Sequence, residues 1–102
     1  MISEKQRKEL IEYYSRFDLE DPPTEVWEDG TKVWRNSDGY RHRENDRPAY
    51  ITFDGYMSWN DNHNWHGETG PAIIWNDGNC KYYINAEEIS HSDWFKRIME
   101  LN

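Results

Sequence analysis

Besides a copy at 38–39, the dipeptide Asp-Gly recurs in this sequence at 29–30, 54–55 and 77–78, at intervals of 25 and 23 residues. Each of these three spaced copies stands between short runs of β-branched and aromatic residues, which favour extended strands. Asp-Gly between two such runs is a strong signal for a β-hairpin, because a type I′ turn needs positive φ at both of its central positions. The sequence therefore predicts three hairpins of similar length, each closed by a two-residue turn.

The residues around each Asp-Gly also recur. Two residues before the aspartate and four residues after the glycine, β-prone residues hold equivalent places: Trp27, Thr52, Trp75, Trp34, Trp59 and Tyr82. Pro-Ala follows at 48–49 and 71–72. This agreement indicates an internal repeat of 23–25 residues in about two and a half copies. We predict an antiparallel meander of about six strands, in which each hairpin is buried against the next.

A two-residue turn would sort the strand side chains onto two faces of the meander. One face would carry Trp27, Trp34, Tyr50, Met57, Trp59, Ile73, Trp75, Cys80 and Tyr82. The other would carry Val26, Ala49, Ile51, Ala72 and Ile74. A loop with an odd number of residues would change the pairing and weaken this sorting.

Both ends of the chain have the pattern of an amphipathic helix. Ser3 and Gln6 form a capping box ahead of an apolar stripe: Leu10, Ile11, Tyr14 and Phe17. Ser90 to Asp93 gives a second cap signal ahead of Trp94, Phe95, Ile98, Met99 and Leu101. We predict one domain over 1–102, mainly β within the α+β class. It has an N-terminal helix in 1–20, hairpin repeats over 24–89 and a C-terminal helix in 90–102.

The charge of the chain is −8, and residues 21–90 hold thirteen acids against six bases. Such a field disfavours direct binding of DNA or RNA through phosphate contacts, and it keeps an aromatic-rich sheet soluble. No apolar run is long enough to cross a membrane, and the N-terminus lacks the pattern of a signal peptide. The single cysteine, Cys80, permits no internal disulfide. A cytoplasmic location is therefore expected.

Residues 26–89 resemble the MORN-like β-hairpin repeats of uncharacterised bacteriophage and giant-virus proteins. The pattern is W-x-x-N-G-x-x-H-R-E-x-G-P-A-x-x-x-x-D-G. It is carried by Trp34…Gly39…His42-Arg43-Glu44…Pro48-Ala49…Asp54-Gly55, then by Trp59…His66-Gly67-Glu68-Thr69-Gly70-Pro71-Ala72…Asp77-Gly78, and in part by Tyr82…Asn85-Ala86. The resemblance implies a hairpin array used for protein or lipid contact in a viral accessory protein, with no shared catalytic residues.

The segment NDNHNWHG, residues 60–67, departs from the repeat while staying aromatic and polar. His63 stands where glycine is expected, Trp65 where a basic residue is usual and Gly67 where arginine is usual, and Arg47 replaces the glycine before Pro48. Since Trp and Tyr contribute much of the binding energy at interfaces, we predict a partner-binding surface here. Its residues are Tyr40, Trp59, His63, Asn64, Trp65 and His66.

The acidic middle of the chain contains one basic cluster, formed by Arg41, Arg43 and Arg47. Arginine beside aromatic rings can hold an anion or a nucleotide, so these three residues are candidates for such a site. The alternative interpretation is that they pair with neighbouring acids such as Glu44 and Asp46.

Other chemistries find little support in the sequence. His63-x-x-His66, with His42 and Cys80, could be imagined as a metal site, but no second cluster of ligands has the right spacing. The chain has no nucleophile elbow and no phosphate-binding glycine loop. We therefore expect no metal, no cofactor and no enzymatic activity.

The combined prediction is a non-enzymatic phage or viral accessory protein that binds a host protein and inhibits a host defence system or a host enzyme. Three alternatives stay open. The protein could be a sponge that sequesters a nucleotide second messenger, an acidic nucleic-acid mimic that blocks a host nuclease, or a self-associating structural repeat protein.

Overall fold

Helix α1 spans Glu4–Ser15 and begins at the capping box that the sequence predicts. Ser3 Oγ accepts a hydrogen bond from the Gln6 backbone N–H at 3.1 Å, and Gln6 Oε1 accepts one from the Ser3 N–H at 3.0 Å. Helix α2 spans His91–Leu101 and follows Ser90, whose Oγ accepts from the Asp93 N–H at 3.1 Å. Both predicted helices are therefore confirmed. The computed structural model describes residues 2–61, 64–67 and 70–101, with side chains up to residue 96.

In the part of the chain that separates the two helices in sequence, seven strands form one antiparallel sheet. The strands of the chain are β1 Glu25–Val26, β2 Lys32–Val33, β3 Tyr50–Ile51, β4 Met57–Ser58, β5 Asn60–Asp61, β6 Asn64–Trp65, β7 Ile73–Ile74, β8 Cys80–Ile84 and β9 Glu87–Ile89. The sheet order is β1-β2-β3-β4-β7-β8-β9, and β5 pairs with β6 in a separate two-stranded ribbon. The predicted α+β class, with an antiparallel sheet and a helix at each end, is confirmed.

The three Asp-Gly turns are not the two-residue type I′ turns that the sequence predicts. Gly30, Gly55 and Gly78 have φ of 93°, 101° and 93°, whereas the aspartate before each does not have positive φ. In the first hairpin Trp27 N–H donates to the Thr31 carbonyl at 2.8 Å, so three residues form the loop. A three-residue loop needs positive φ only at its last position, which glycine adopts without steric cost.

A fourth turn of the same kind lies at 36–40, where the sequence predicted a looser connection. Gly39 has φ of 85°, its N–H donates to the Asn36 carbonyl at 3.0 Å, and the Asn36 N–H donates to the Tyr40 carbonyl at 2.9 Å. Two consecutive residues of positive φ occur instead at Asn85 and Ala86, between β8 and β9, with φ of 49° and 70°, and at Asn45 and Asp46, with φ of 65° and 53°.

The three-residue loops change which side chains share a face of the sheet. Met57 lies directly opposite Ile51 and Ile74, while Tyr50 lies opposite Val33 and Ser58. The core face carries Trp34, Ala49, Ile51, Met57, Trp59 and Ile74. The other face carries Trp27, Tyr50, Ile73 and Trp75. The predicted sorting placed these four residues with Met57 and was wrong, because one extra loop residue reverses the alternation of a strand relative to its partner.

Both helices lie on the core face. Leu10, Ile11 and Tyr14 of α1 pack against the buried cluster, and the Tyr14 ring meets Trp59 edge-on with centroids 5.9 Å apart. From α2, Trp94 contacts Tyr82 with centroids 5.0 Å apart. Tyr82 shares the side of Cys80, two residues earlier on the same strand, and Cys80 packs against the core cluster. The opposite face of the sheet is therefore left without a helix.

Candidate functional site

The uncovered face of the sheet carries a row of aromatic rings, which we call the aromatic face: Trp27, Tyr50, Tyr56, Trp65, Trp75 and Tyr83. From Trp27 to Tyr50, Tyr56 and Trp75 the successive ring centroids are 5.9, 5.8 and 6.4 Å apart. Their planes are inclined by 73–77°, which is the edge-to-face geometry that aromatic pairs favour. Trp65 packs on Tyr83 at 5.1 Å.

The rings of the aromatic face lie among small, fully buried side chains. Thr31, Val33 and Ser58 are at most 1% exposed, and Val33 and Ser58 lie directly opposite Tyr50 in the sheet. The rings therefore cover the backbone of the central strands and are held in place by each other. The two outermost tryptophans remain accessible, because Trp27 is 42% exposed and Trp65 is 39% exposed. Accessible, pre-ordered tryptophan and tyrosine side chains are typical of protein-binding surfaces.

Two ion pairs flank the rings. Arg35 Nε donates to Glu25 Oε1 at 2.8 Å, and Trp27 Nε1 donates to Glu25 Oε2 at 3.1 Å. The hydrogen bond from Trp27, followed by the one from Arg35, lowers the pKa of Glu25 below its ordinary value. On the other side of the face, Lys81 Nζ lies 3.1 Å from Glu88 Oε1.

Arg41 lies on the same face and stacks on a ring. Its guanidinium carbon is 4.3 Å from the centroid of Tyr50, a cation–π contact, and its backbone forms an isolated bridge with Arg35. The side-chain Nε of Arg41 is buried and has no hydrogen-bond partner. Of the predicted basic cluster, Arg41 alone belongs to this surface.

Arg43 is a buried structural residue on the core side. It is 5% exposed, its guanidinium carbon lies 3.8 Å from the Trp34 ring, and its Nε donates to Asp21 Oδ2 at 2.7 Å. Its Nη1 donates to the Pro48 carbonyl at 3.0 Å. Burial lowers the pKa of Arg43, and the hydrogen bond with Asp21 opposes that shift.

Arg47 is likewise occupied by acids that follow helix α1. It lies 3.1 Å from Glu20 Oε1 and 3.5 Å from Asp21 Oδ2, and its guanidinium carbon is 3.8 Å from the Phe17 ring. These contacts support the interpretation that pairing with acids occupies Arg43 and Arg47. The acids come from a distant segment, however, and not from Glu44 and Asp46 as the sequence suggested.

The predicted partner-binding residues lie in different environments. Trp65 is on the aromatic face, and Asn64 is exposed beside it on β6. Tyr40 is 50% exposed at the fourth turn, and His66 Nδ1 accepts a hydrogen bond from the Asn85 N–H at 3.1 Å. Trp59 is 6% exposed and donates from Nε1 to the Asp46 carbonyl at 3.0 Å, so its ring belongs to the core. His63 lies outside the described residues.

A cleft of about 310 Å³ lies between the loop at 42–47 and the strand at 59–61. His42 stands in it between two carboxylates, with Nε2 at 2.8 Å from Glu44 Oε1 and Nδ1 at 3.2 Å from Asp61 Oδ1. His66 lines the same cleft. Within 2–61, 64–67 and 70–101, no three side chains of the metal-ligating types come together to hold an ion.

Sequence reasoning missed the aromatic face as a surface, although most of its residues stood in the repeat. Tyr56 and Tyr83 belong to it, yet neither stood out in the sequence as a binding residue. Strand alternation places Trp27, Tyr50 and Tyr56 on one face once the loops are counted as three residues. That loop length could not be read from the Asp-Gly dipeptide alone.

Comparisons with protein-family models, with curated proteins and with solved structures found no match to this chain. Among the helices that the structure describes, none is long and apolar enough to cross a membrane.

Proposed function

We propose that this chain is a non-enzymatic accessory protein of phage or viral type that binds a host protein through the aromatic face. The observation that supports this is the row of six rings on the side of the sheet that both helices leave uncovered. Edge-to-face packing orders these rings before a partner arrives, which reduces the entropy lost on binding. Inhibition of a host defence system or a host enzyme would follow from occupying the partner's own binding surface.

We also propose that the sheet is an array of MORN-like hairpin repeats, and recurring hydrogen bonds support this. The indole N–H groups of Trp34 and Trp59 donate to the carbonyls of Asp21 and Asp46, each 13 residues earlier, at 2.9 and 3.0 Å. The backbone N–H groups of the same two tryptophans donate to the carbonyls of Ala49 and Ala72, both at 2.8 Å. A scaffold that repeats in this way extends one continuous face, and so accounts for the row of rings.

The size of the aromatic face favours a protein partner over a small ligand. From β1, which precedes Trp27, to β8, which carries Tyr83, the sheet has five inter-strand steps. These steps span roughly 24 Å at the usual strand spacing. A specific protein interface covers about 800 Å² on each partner, which is a patch of similar width. A host protein in the cytoplasm is therefore the proposed partner, and the free thiol of Cys80 fits a reducing compartment.

The test is a pull-down from bacterial lysate with three forms of the chain, followed by affinity measurements with the recovered partner in purified form. The forms are the wild type, Trp65→Ala on the aromatic face and Phe95→Ala on helix α2. Phe95 is the matched control, since it is 54% exposed and belongs to helix α2, whose Trp94 packs on the core side of the sheet. Loss of an accessible tryptophan contact should weaken binding roughly thirtyfold, whereas the control should bind like the wild type.

Other outcomes point to the alternatives. Binding that weakens steeply with added salt supports an acidic nucleic-acid mimic, because an aromatic contact is nearly insensitive to salt. A nucleotide released by denaturing the purified chain supports the sponge, and a mass that rises with concentration, without any partner, supports a structural subunit. Equal binding by wild type, Trp65→Ala and Phe95→Ala would contradict the aromatic face as the binding surface.

A further inference from the structure

We propose that Arg41 is the anion-binding centre of the aromatic face, and that it receives a carboxylate from an acidic side chain of the host protein. This inference rests on the proposed function and names the chemistry of the partner. It starts from the charges that surround the rings.

The charged groups on the aromatic face nearly cancel, and one is left over. Glu25 pairs with Arg35 and Lys81 pairs with Glu88. No side-chain hydrogen bond or ion pair links Arg41 to any described residue, and its guanidinium stacks on the Tyr50 ring. Among Glu25, Arg35, Arg41, Lys81 and Glu88, one positive charge is therefore left over, in a chain whose net charge is −8.

Arg41 differs from the other arginines of residues 21–90, because each of those forms an ion pair. Arg35, Arg43 and Arg47 each make an ion pair of 3.1 Å or less with a carboxylate. Each also makes its pair with an acid at least ten residues away in sequence. The chain thus supplies a carboxylate to every one of its middle arginines except the one that lies on the uncovered face.

The environment of Arg41 makes an incoming carboxylate favourable. Its Nε is shielded from water without an acceptor, so part of the cost of desolvating the guanidinium is already present in the free protein. Stacking on Tyr50 restricts the orientation of the guanidinium plane, which is the preorganisation that bidentate pairing with a carboxylate needs. An anion that docks there gains a charge-assisted hydrogen bond with little further loss of freedom.

The uneven distribution of charge over the surface favours an acidic group at Arg41 over other positions. Elsewhere the surface is dominated by acids, which repel a carboxylate at close approach, whereas the aromatic face presents two neutralised pairs and Arg41. A protein carboxylate fits better than a nucleotide, because Arg41 is one point on a surface roughly 24 Å wide and a nucleotide would leave most of the rings uncovered.

The first experiment measures anion binding by the free protein. The Nε–H resonances of the arginines are followed by NMR in ¹⁵N-labelled chain during titration with acetate, inorganic phosphate and adenosine monophosphate. Arg16 is the matched control, since it also stacks on a tyrosine, Tyr13, at 5.7 Å, but lies at the end of helix α1. We expect a saturable shift at Arg41 with acetate and with phosphate, and no such shift at Arg16.

Two results would overturn the inference at this stage. Equal, unsaturable shifts at Arg41 and Arg16 would show that Arg41 is an ordinary surface arginine. Adenosine monophosphate binding at least tenfold more tightly than inorganic phosphate would replace the protein carboxylate with a nucleotide.

The second experiment uses the partner recovered with the aromatic face. Arg41→Gln should weaken its binding roughly ten- to hundredfold, as expected for the loss of a hydrogen bond between charged groups, and Arg16→Gln should not. Thermal unfolding of Arg41→Gln establishes that the fold is retained. If Trp65→Ala abolishes binding and Arg41→Gln leaves it unchanged, the inference fails while the proposed function stands. If neither variant changes binding, both fail.

Discussion

Replacing Gly78 by alanine should destabilise the protein far more than the same change at Gly30. Both glycines have φ of +93°, so a Cβ incurs the same backbone cost at each, about 1–2 kcal/mol. The space around them differs. A Cβ on Gly30 meets nothing within 4 Å, whereas a Cβ on Gly78 would lie 2.1 Å from the Ile2 carbonyl oxygen and 2.8 Å from Arg7 Nη1.

The extra cost at Gly78 is the undocking of the N-terminal segment. Ile2 N–H donates to the Gly78 carbonyl at 2.8 Å, and Arg7 Nη1 donates to the Ile2 carbonyl at 2.7 Å. Each hydrogen bond contributes about 1 kcal/mol, and burial of the Ile2 side chain adds about 1 kcal/mol more. Gly78→Ala should therefore be about 2–4 kcal/mol less stable than Gly30→Ala.

Urea unfolding followed by circular dichroism measures both variants, and thermal melts provide an independent check. A difference of 2–4 kcal/mol corresponds to melting temperatures roughly 10–25 °C apart for a domain of this size. Deleting residues 1–2 removes the obstacle, so Gly78→Ala and Gly30→Ala should then cost the same. Equal destabilisation in the full-length chain, or a difference that persists after the deletion, would refute the reasoning.

Three further predictions concern single sites. Of the four Asp-Gly pairs, Asp38-Gly39 should be the first to form isoaspartate on ageing at neutral pH, as measured by peptide mapping. The Asp38 carboxylate accepts no described hydrogen bond, whereas the aspartate carboxylates of the other three pairs do. A faster reaction at any other pair would contradict this. Arg43→Met should destabilise the fold by about 3–5 kcal/mol in urea titrations, since it leaves Asp21 without its buried partner; Arg47→Met, at a more exposed pair, should cost less. Burial raises the pKa of Tyr56 above its ordinary 10.0. The contribution of the neutral phenol to folding stability is therefore fully present below pH 10.0 and is lost as the pH rises through the raised pKa. Tyr56→Phe should reduce the loss of stability measured above pH 10.0.

Local signals in the sequence predicted the elements well. The Ser3–Gln6 capping box, the Ser90 cap and the Asp-Gly reversals each depend on groups within a few residues of one another, and each is present in the structure. Whether each loop contains two or three residues was not predictable in the same way. Type I′ turns and three-residue loops both accept Asp-Gly, and they differ in a single residue that reverses the faces of a strand.

The candidate site depended more heavily on distant contacts. Trp59 and Trp65 are both among the binding residues predicted from the sequence, yet Trp59 is 6% exposed and Trp65 is 39% exposed. Arg41 and Arg43 are two residues apart, a spacing that strand alternation would place on one side, yet Arg41 stacks on Tyr50 and Arg43 on Trp34, on opposite sides of the sheet. Asp21, which pairs with Arg43, lies 22 residues away. No local pattern encodes that pairing.

The sequence by itself therefore determined the hairpins, the two amphipathic helices, the acidic charge and the abundance of aromatic residues. Those properties follow from backbone preferences and from side chains close together in the chain. Tertiary structure decided which face the helices cover, which rings form the row and which arginine remains without a carboxylate. Burial and ion pairing depend on residues brought together from distant segments, and here helix α1 and the acids that follow it occupy one face and leave the other with the rings and Arg41.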